Sequence, residues 1–260
     1  MRRCLSTCTL VALLPLAATS AAPVATVTPA QTPAPALSTL PAIPVGPPAP
    51  DTLFDHLARV APALDRDVLR LATRALGCAL RQPGVDAPRT LSVIDYSLPS
   101  TQQRLWVFDL ADGDLLFEEW VAHGRNTGGN LATAFSNIYG SYQSSLGTFL
   151  TQESYVGSNG YSLRLKGLEP GFNDLARERA IVIHGAPYVN PDAAIAQGRL
   201  GRSLGCPAVR SAVARELIDT IRDGSLVVAY YPDPDWLQRS ELLLSDCGTP
   251  MLAGATAHAD

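Results

Sequence analysis

Apolar residues between positions 52 and 81 recur every three or four residues, which is the period of one face of an amphipathic helix. Pro62 interrupts this pattern. Because proline lacks a backbone N–H and its ring clashes with the preceding turn, we expect two helices rather than one. Their apolar stripe predicts packing against a larger domain. The residues of the stripe are Leu53, Leu57, Val60, Leu64, Val68, Leu71, Ala75 and Leu76.

From residue 89 the pattern changes to short apolar runs separated by turn-forming residues, which is typical of β-strands. Stretches 125–144 and 152–160 are rich in Gly, Asn and Ser and are predicted to be loops. Helical spacing predicts one helix at 211–222. The predicted fold class is therefore mainly β (α+β), with a few short helices. The predicted strands are 91–95, 104–109, 115–121, 146–151, 161–165, 180–184 and 225–231.

The N-terminal stretch 1–22 has the pattern of a secretory signal peptide. Arg2 and Arg3 give a positive start, an apolar stretch follows, and small residues at 20–22 offer a cleavage site. The apolar stretch is shorter than the ~20 residues that a membrane-spanning helix needs. We therefore expect export to the periplasm or cell envelope, with no stable membrane insertion after signal cleavage.

The rest of the chain divides by composition. Residues 23–50 are rich in proline and predict a linker, either an extended spacer or a disordered segment without a role of its own. An N-terminal helical segment is expected at 51–87, the main domain at 88–232 and a C-terminal tail at 233–260. Residues 248–260 look too small and polar to pack, so we expect disorder there.

Composition excludes several function classes. The chain has 260 residues, 47% of them hydrophobic, which suffices for one ordinary domain with its own core. Its net charge is −4 and it has no long basic run, so a nucleic-acid partner is not expected. It has no HExxH, CxxC or Gly-rich phosphate-loop motif, so we predict neither a metal nor a nucleotide cofactor. The oligomeric state is left open.

The cysteine count bears on both the compartment and the chemistry. Of the five cysteines, Cys78, Cys206 and Cys247 remain after signal removal. An odd number in an oxidising compartment indicates one disulfide and one free thiol. If Cys206 is a nucleophile it must stay reduced, and Cys78 then pairs with Cys247. The alternative is that Cys206 lies in the disulfide and has no chemical role.

The strongest chemical signal is an apolar run that ends in His184-Gly185, followed downstream by Ser203-Leu204-Gly205-Cys206. A cysteine needs a base to form its thiolate, and an imidazole can take the proton and later return it to a leaving amine. Gly205 lets backbone N–H groups around Leu204, Gly205 and Cys206 approach a developing oxyanion. Ser203 is a candidate to orient His184. This pair predicts thiol-based acyl transfer.

These residues resemble the catalytic signature of the YkuD-like L,D-transpeptidases. Other stretches in the same order resemble the murein L,D-transpeptidase catalytic-domain family. The resemblance covers about residues 88–232. The stretches that carry it are 135–137, 140–147, 160–165, 171–174 and 198–208.

The resemblance implies a β-sandwich-type catalytic domain that acts on peptidoglycan stem peptides. Cys206 attacks the carbonyl of the third stem residue, a diamino acid, and releases D-alanine; His184 is the base and Gly205 belongs to the oxyanion site. An amine then resolves the thioester, giving a 3–3 cross-link or D-amino acid exchange. Two alternatives stay open: an L,D-carboxypeptidase or endopeptidase that uses water instead, and a non-catalytic peptidoglycan-binding module.

The chain departs from the family pattern at Ala208, where many members have Arg or Asn two residues after the cysteine. A positive charge for a substrate carboxylate could instead come from Arg199, Arg202 or Arg210. Oxyanion or substrate contact is also predicted for Gly185, Leu204 and Tyr161. The His123-Gly124 dipeptide is a rival candidate for a catalytic or substrate role.

Overall fold

The computed structural model describes residues 52–244 and residue 247. The predicted signal peptide, the predicted linker and the stretch 248–260 lie outside the described residues, and their assignments stay predictions. The helices are α1 Leu53–Val60, α2 Arg66–Ala79, α3 Pro191–Gln197, α4 Ser211–Ile221 and α5 Pro234–Arg239. The strands are β1 Thr90–Asp95, β2 Leu105–Asp109, β3 Leu115–Glu119, β4 Val121–Ala122, β5 Gly147–Gly157, β6 Gly160–Gly167, β7 Val182–Ala186, β8 Ala208–Arg210 and β9 Leu226–Tyr230.

The helical segment before the sheet is divided in two, as predicted. Helix α1 begins after Thr52, whose hydroxyl accepts from the Asp55 N–H, and α2 begins after Asp65, whose carboxylate accepts from Asp67 N and Val68 N. These side chains satisfy N–H groups that have no partner inside a helix. Pro62 lies in the turn between the two helices, which confirms its predicted effect.

The described strands hydrogen-bond into a single nine-stranded sheet in the order β3-β2-β1-β9-β5-β6-β7-β8-β4. The β1–β9 and β7–β8 pairs are parallel, and the other pairs are antiparallel. The predicted mainly β fold class with few helices is therefore confirmed. The register of the parallel β7–β8 pair sets His184 opposite Ala208, two residues after Cys206.

The two faces of the sheet carry different apolar clusters because side chains alternate along each strand. On one face, Val93, Trp106 and Val228 pack against α1 and α2. On the other, Ile94 and Leu105 join residues of β6, β7 and helix α4. Burial of both faces gives the sheet a layered core, and the predicted contact between the N-terminal helices and the main domain is present.

One loop prediction is wrong. Residues 152–160, expected to be irregular, form the end of β5, a tight turn and the start of β6. A register shift between Thr151 and Ser154 breaks the pairing there, and many of the residues in this hairpin are at least partly exposed. A half-exposed, bulged hairpin has neither alternating apolar residues nor a continuous apolar run. Its strands therefore cannot be recognised from the sequence pattern.

The region expected to be a C-terminal tail begins with a packed helix. Trp236 of α5 is fully buried, and its indole N–H donates to the carboxylate of Glu169 at 2.7 Å. The same carboxylate accepts from Thr148 N at 2.6 Å. Residues 233–244 therefore belong to the domain, held by one buried carboxylate that bridges two segments. Among the described residues, no helix is long and apolar enough to cross a bilayer.

Cys78 of α2 forms a disulfide with Cys247 across a sequence separation of 169 residues. We predict that the double variant Cys78→Ala/Cys247→Ala loses about 2–5 kcal/mol of unfolding free energy, because a disulfide that closes a long loop restricts the unfolded chain. Urea denaturation monitored by circular dichroism measures this change. Reduction of the unmodified protein should give a similar loss. A double variant as stable as the oxidised protein contradicts the prediction.

Candidate active site

His184 is positioned by strand β7 near the edge of the sheet that β8 and β4 form. Alternation places His184, Ala186 and the opposing Ala208 on one face, where the two alanines belong to a small apolar cluster. The imidazole is 5% exposed. Its Nδ1 lies 3.0 Å from Gly185 O, so Nδ1 carries the hydrogen and Nε2 keeps its lone pair. Burial lowers the pKa of His184, which favours the neutral imidazole that a general base requires.

Cys206 lies two residues before Ala208, at the end of the turn that leads into β8. It is 9% exposed, and its thiol contacts Ala180 O at 3.7 Å. Burial raises the pKa of the Cys206 thiol, while the backbone of Val182 and the charge of Arg179 act in the opposite direction. The thiol and the His184 imidazole make no hydrogen bond with each other among the described contacts. Burial thus favours the uncharged thiol of Cys206 and the uncharged imidazole of His184.

The turn that carries the cysteine is fixed by two buried serines. The Ser203 hydroxyl donates to Cys206 O at 2.6 Å and accepts from Gly205 N at 3.0 Å. The Ser144 hydroxyl donates to Gly205 O at 3.0 Å and accepts from Gly124 N at 3.0 Å. Ser203 was predicted to orient His184 through its hydroxyl or its carbonyl. Its hydroxyl is committed to this turn, and its carbonyl accepts from Arg125 N at 2.8 Å. Ser144 was missed, although it lies within a stretch quoted for the family resemblance.

Hydrogen bonding within the turn narrows the choice of oxyanion donor. The Gly205 N–H is occupied by Ser203, so Gly205 does not offer its own N–H to a ligand. The Gly205 carbonyl points to Ser144. In a planar trans peptide the C=O and the following N–H point in opposite directions, so the Cys206 N–H is directed away from Ser144. Among the described residues it has no acceptor, so it can donate to a negative oxygen that forms at Cys206.

A cleft of about 280 Å³ opens beside the cysteine. Leu204, which is 61% exposed, lines this cleft together with Tyr139 and Tyr142, which form one wall. The Arg125 guanidinium lies 4.2 Å from the centre of the Tyr142 ring, which supports that wall by a cation–π contact. The full set of lining residues is Tyr139, Gly140, Tyr142, Asn159, Arg179, Ala180, Ile181, Leu204 and Cys206.

Arg179 is a cation in this cleft that sequence reasoning missed. It is half-buried and donates to Ser136 O at 2.6 Å, to Gln143 O at 2.7 Å and to the Ser141 hydroxyl at 3.2 Å, and it also contacts the Ser145 hydroxyl. Its position depends on a compact turn that brings residue 179 back to the start of β7. No motif marks such a turn, so the sequence carries no signal for its role.

The arginines proposed from sequence have other partners. Arg202 is exposed and donates to the carbonyls of Arg125 and Gly128, and Arg210 forms an ion pair with the buried Glu119. Arg199 lines a second cleft of about 180 Å³ together with Tyr188, outside the cleft of Cys206. The pKa of Tyr188 is raised to about 12, chiefly by burial and further by the cysteine.

Three other candidates have packing roles. Tyr161 donates to the Ser154 hydroxyl at 2.9 Å, contacts Asp219, and does not line the cleft. A Cβ atom at Gly185 would lie 2.7 Å from Ala214 Cβ, so this glycine is needed for the close approach of α4. Ala208 is fully buried in the apolar cluster on the face of His184, where an arginine side chain would find no solvent.

His123 is part of the structure behind the site rather than a group facing it. It is 1% exposed, and the fully buried Arg104 donates to its Nδ1 at 2.8 Å. Burial and the charge of Arg104 lower the pKa of His123 to about 4. Its carbonyl accepts from Ser203 N at 3.0 Å. Through its backbone, His123 therefore supports the turn 203–206, which carries the candidate nucleophile Cys206 and is called the nucleophile turn below. In the described part of the chain, no group of three His, Cys, Asp or Glu side chains is arranged to hold a metal ion.

Comparison with known proteins identifies a family. A family model for the L,D-transpeptidase catalytic domain matches residues 60–230. The match starts at the last residue of α1, N-terminal to the expected domain boundary at residue 88, and it includes both the His184 strand and the Cys206 turn. None of the curated proteins compared with the chain matches it.

Several solved structures are similar to part of this chain. An L,D-transpeptidase from Mycobacterium smegmatis is 14% identical, with 55% of this chain and 59% of that chain covered and a TM-score of 0.35. L,D-transpeptidase 1 of Mycobacterium tuberculosis is 12% identical, with 55% and 62% covered and a TM-score of 0.32. A mutant of the Enterococcus faecium enzyme is 16% identical, with 55% and 50% covered and a TM-score of 0.34. The chain thus spans less than two thirds of each, and at these TM-scores the likeness supports no further conclusion.

We predict that Gly205→Ala disrupts the nucleophile turn. Gly205 has φ +128°, and an added Cβ would lie 2.9 Å from Gln143 O. Gly224→Ala is the matched control, because Gly224 has φ +104° and nothing within 4 Å of an added Cβ. Both variants carry backbone strain, of order 1–3 kcal/mol, but only Gly205→Ala adds a clash beside the thiol. Alkylation of Cys206 by iodoacetamide should slow at least several-fold in Gly205→Ala alone. Equal rates in both variants contradict the prediction.

Proposed function

The chain belongs to the L,D-transpeptidase catalytic domain family, and from this premise we propose that it is a cysteine acyltransferase acting on peptidoglycan stem peptides. The observation that carries the proposal is the parallel β7–β8 pair, which brings the strand of His184 beside the segment that leads from Cys206 into Ala208. The buried thiol of Cys206 lines the cleft, and its backbone N–H has no described partner. On the neighbouring strand, His184 has an imidazole whose neutral form is favoured by burial and whose Nε2 makes no described hydrogen bond. These are the parts that acyl transfer through a thioester needs.

In the proposed first half-reaction, His184 Nε2 takes the proton of the Cys206 thiol. The thiolate attacks the carbonyl carbon of the third stem residue, and the C=O electron pair moves to oxygen, where the Cys206 N–H stabilises it. Collapse of this intermediate breaks the bond to the terminal D-alanine, whose nitrogen takes the proton back from His184. The products are a thioester on Cys206 and free D-alanine. The contact of the thiol with Ala180 O must be released for this step.

In the proposed second half-reaction an amine attacks the thioester carbonyl and passes a proton to His184. The sulfur leaves and regains that proton, so the enzyme returns to its starting state. An amine from another stem gives a 3–3 cross-link, and a free D-amino acid gives exchange. The exposed rim formed by Leu204 and Tyr139 leaves an open side through which a second strand can approach.

We also propose that the protein works in the periplasm or cell envelope. The support is the pattern of residues 1–22, with Arg2 and Arg3 before an apolar stretch and small residues. The disulfide between Cys78 and Cys247 agrees with an oxidising compartment. Peptidoglycan lies in the same compartment, so substrate and enzyme would meet there.

We predict that the purified protein converts disaccharide-tetrapeptide into a cross-linked dimer with loss of D-alanine, and that Cys206→Ser abolishes both products. Mass spectrometry of the muropeptides measures this, and the acyl group should be found on the peptide that contains Cys206. Loss of D-alanine without a dimer indicates hydrolysis and replaces transfer by carboxypeptidase activity. Bound but unchanged substrate would point to a binding module, and full conversion by Cys206→Ser would exclude this nucleophile.

We predict that His184→Gln lowers the rate of acylation by about 10²–10⁴-fold, because removal of a general base costs a factor of that order. The matched control is His56→Gln on α1, which removes an imidazole from another part of the domain. Single-turnover formation of the Cys206 adduct provides the measurement. If the two variants acylate equally fast, His184 is not the base.

A further inference from the structure

The cleft at Cys206 contains a positive charge without a counter-ion. Arg179 is half-buried, and its described hydrogen-bond partners are carbonyl and hydroxyl oxygens of Ser136, Ser141, Gln143 and Ser145. None of these groups is charged, and among the described residues Arg179 has no carboxylate partner. A guanidinium shielded from water in this way lacks both full hydration and a neutralising anion, so an anion that forms nearby is stabilised.

Two observations locate that anion at the cysteine. Arg179 and Cys206 line the same cleft, and the carbonyl of Ala180, the residue directly after the arginine, accepts from the Cys206 thiol at 3.7 Å. Arg179 also holds Gln143 O, and the same carbonyl would lie 2.9 Å from a Cβ on Gly205. The arginine is therefore tied to the nucleophile turn from two sides and has little freedom to move away from it.

We propose that Arg179 is the electrostatic partner of the Cys206 thiolate, the group that makes ionisation possible in an otherwise shielded site. This deepens the proposed function and rests on Cys206 being its nucleophile. Ala208 agrees with this role for Arg179: the side chain two residues after the cysteine is apolar and fully buried, so it supplies no charge, and Arg210 of the same strand is paired with Glu119. In this chain the cation is Arg179, which lies in the turn before β7.

Other titratable groups surround the thiol and define the background of the test. His184 lies on β7, opposite Ala208. Tyr188, in the segment after β7, and Tyr96, in the segment after β1, interact electrostatically with Cys206. Tyr139 and Tyr142 stand on the cleft wall. Arg179 is the cation whose charge favours the thiolate, since its interaction with Cys206 lowers the pKa of the thiol against the effect of burial.

The test is the pH dependence of Cys206 alkylation by iodoacetamide in the full-length protein, followed by mass spectrometry of the peptide that contains Cys206. Only the thiolate reacts, so the midpoint of the rate profile reports thiol ionisation. Removing a nearby positive charge disfavours the thiolate and moves the midpoint upward. We expect Arg179→Gln to raise the midpoint by about one pH unit or more, whereas Arg179→Lys, which keeps the charge, stays close to the unmodified protein.

The matched control is Arg177→Gln. Arg177 lies on the same turn, is exposed, and pairs with Glu153, so its removal should leave the midpoint unchanged. Circular dichroism of each variant establishes that it is folded. Equal upward shifts in Arg179→Gln and Arg179→Lys would mean that the arginine only fastens the loop, and an unchanged midpoint in Arg179→Gln would mean that it serves something else, such as a substrate carboxylate. Either outcome overturns the proposal.

The muropeptide assay separates this proposal from the proposed function. If the unmodified protein produces dimers through Cys206 while Arg179→Gln keeps the normal midpoint, the function stands and the role of Arg179 is wrong. If the midpoint shifts as expected but no turnover of disaccharide-tetrapeptide occurs, the thiolate partner stands and the substrate assignment is wrong.

Discussion

The site depends on one close approach of backbone to backbone. A Cβ on Gly124 would lie 2.9 Å from Gly205 Cα and 2.5 Å from Tyr142 O, so three chain segments meet there with no side chain between them. This spacing is what allows the buried hydroxyl of Ser144 to reach Gly124 N and Gly205 O together. The nucleophile is thus held by short polar contacts within a backbone junction, and its orientation follows from them more than from apolar packing around the thiol.

The sequence predicts those features that arise from local pattern. Helical spacing with Pro62 yields the two N-terminal helices, and an apolar run yields the strand that ends at His184. The hairpin at 152–160 was missed because a register shift and solvent exposure remove the alternation by which a strand is recognised. Arg179 was missed for another reason: its relation to Cys206 is purely tertiary, created by a turn whose residues resemble any polar loop. The hydrogen-bond partners of the Ser203 hydroxyl, Cys206 O and Gly205 N, could be identified only from the folded turn.

Burial disfavours the charged forms of both His184 and Cys206. The pair therefore avoids the desolvation of a resting ion pair, which can exceed the attraction between its members. A fixed guanidinium is different, because it stays charged under all ordinary conditions. Hydrogen bonds to loop oxygens hold the positive charge of Arg179 in the cleft. This fixed charge can stabilise a transient negative charge on sulfur or oxygen.

The shielding of Cys206 also affects the chemical stability of its thiol. Peroxides convert cysteine to sulfenic acid through the thiolate, and susceptibility follows thiolate character and exposure. A thiol that is 9% exposed, with burial raising its pKa, offers oxidants little of either. Cys78 and Cys247 are already joined, so neither is available as a resolving thiol to form a mixed disulfide with it. The same burial that disfavours ionisation of Cys206 therefore also slows oxidation of its free thiol.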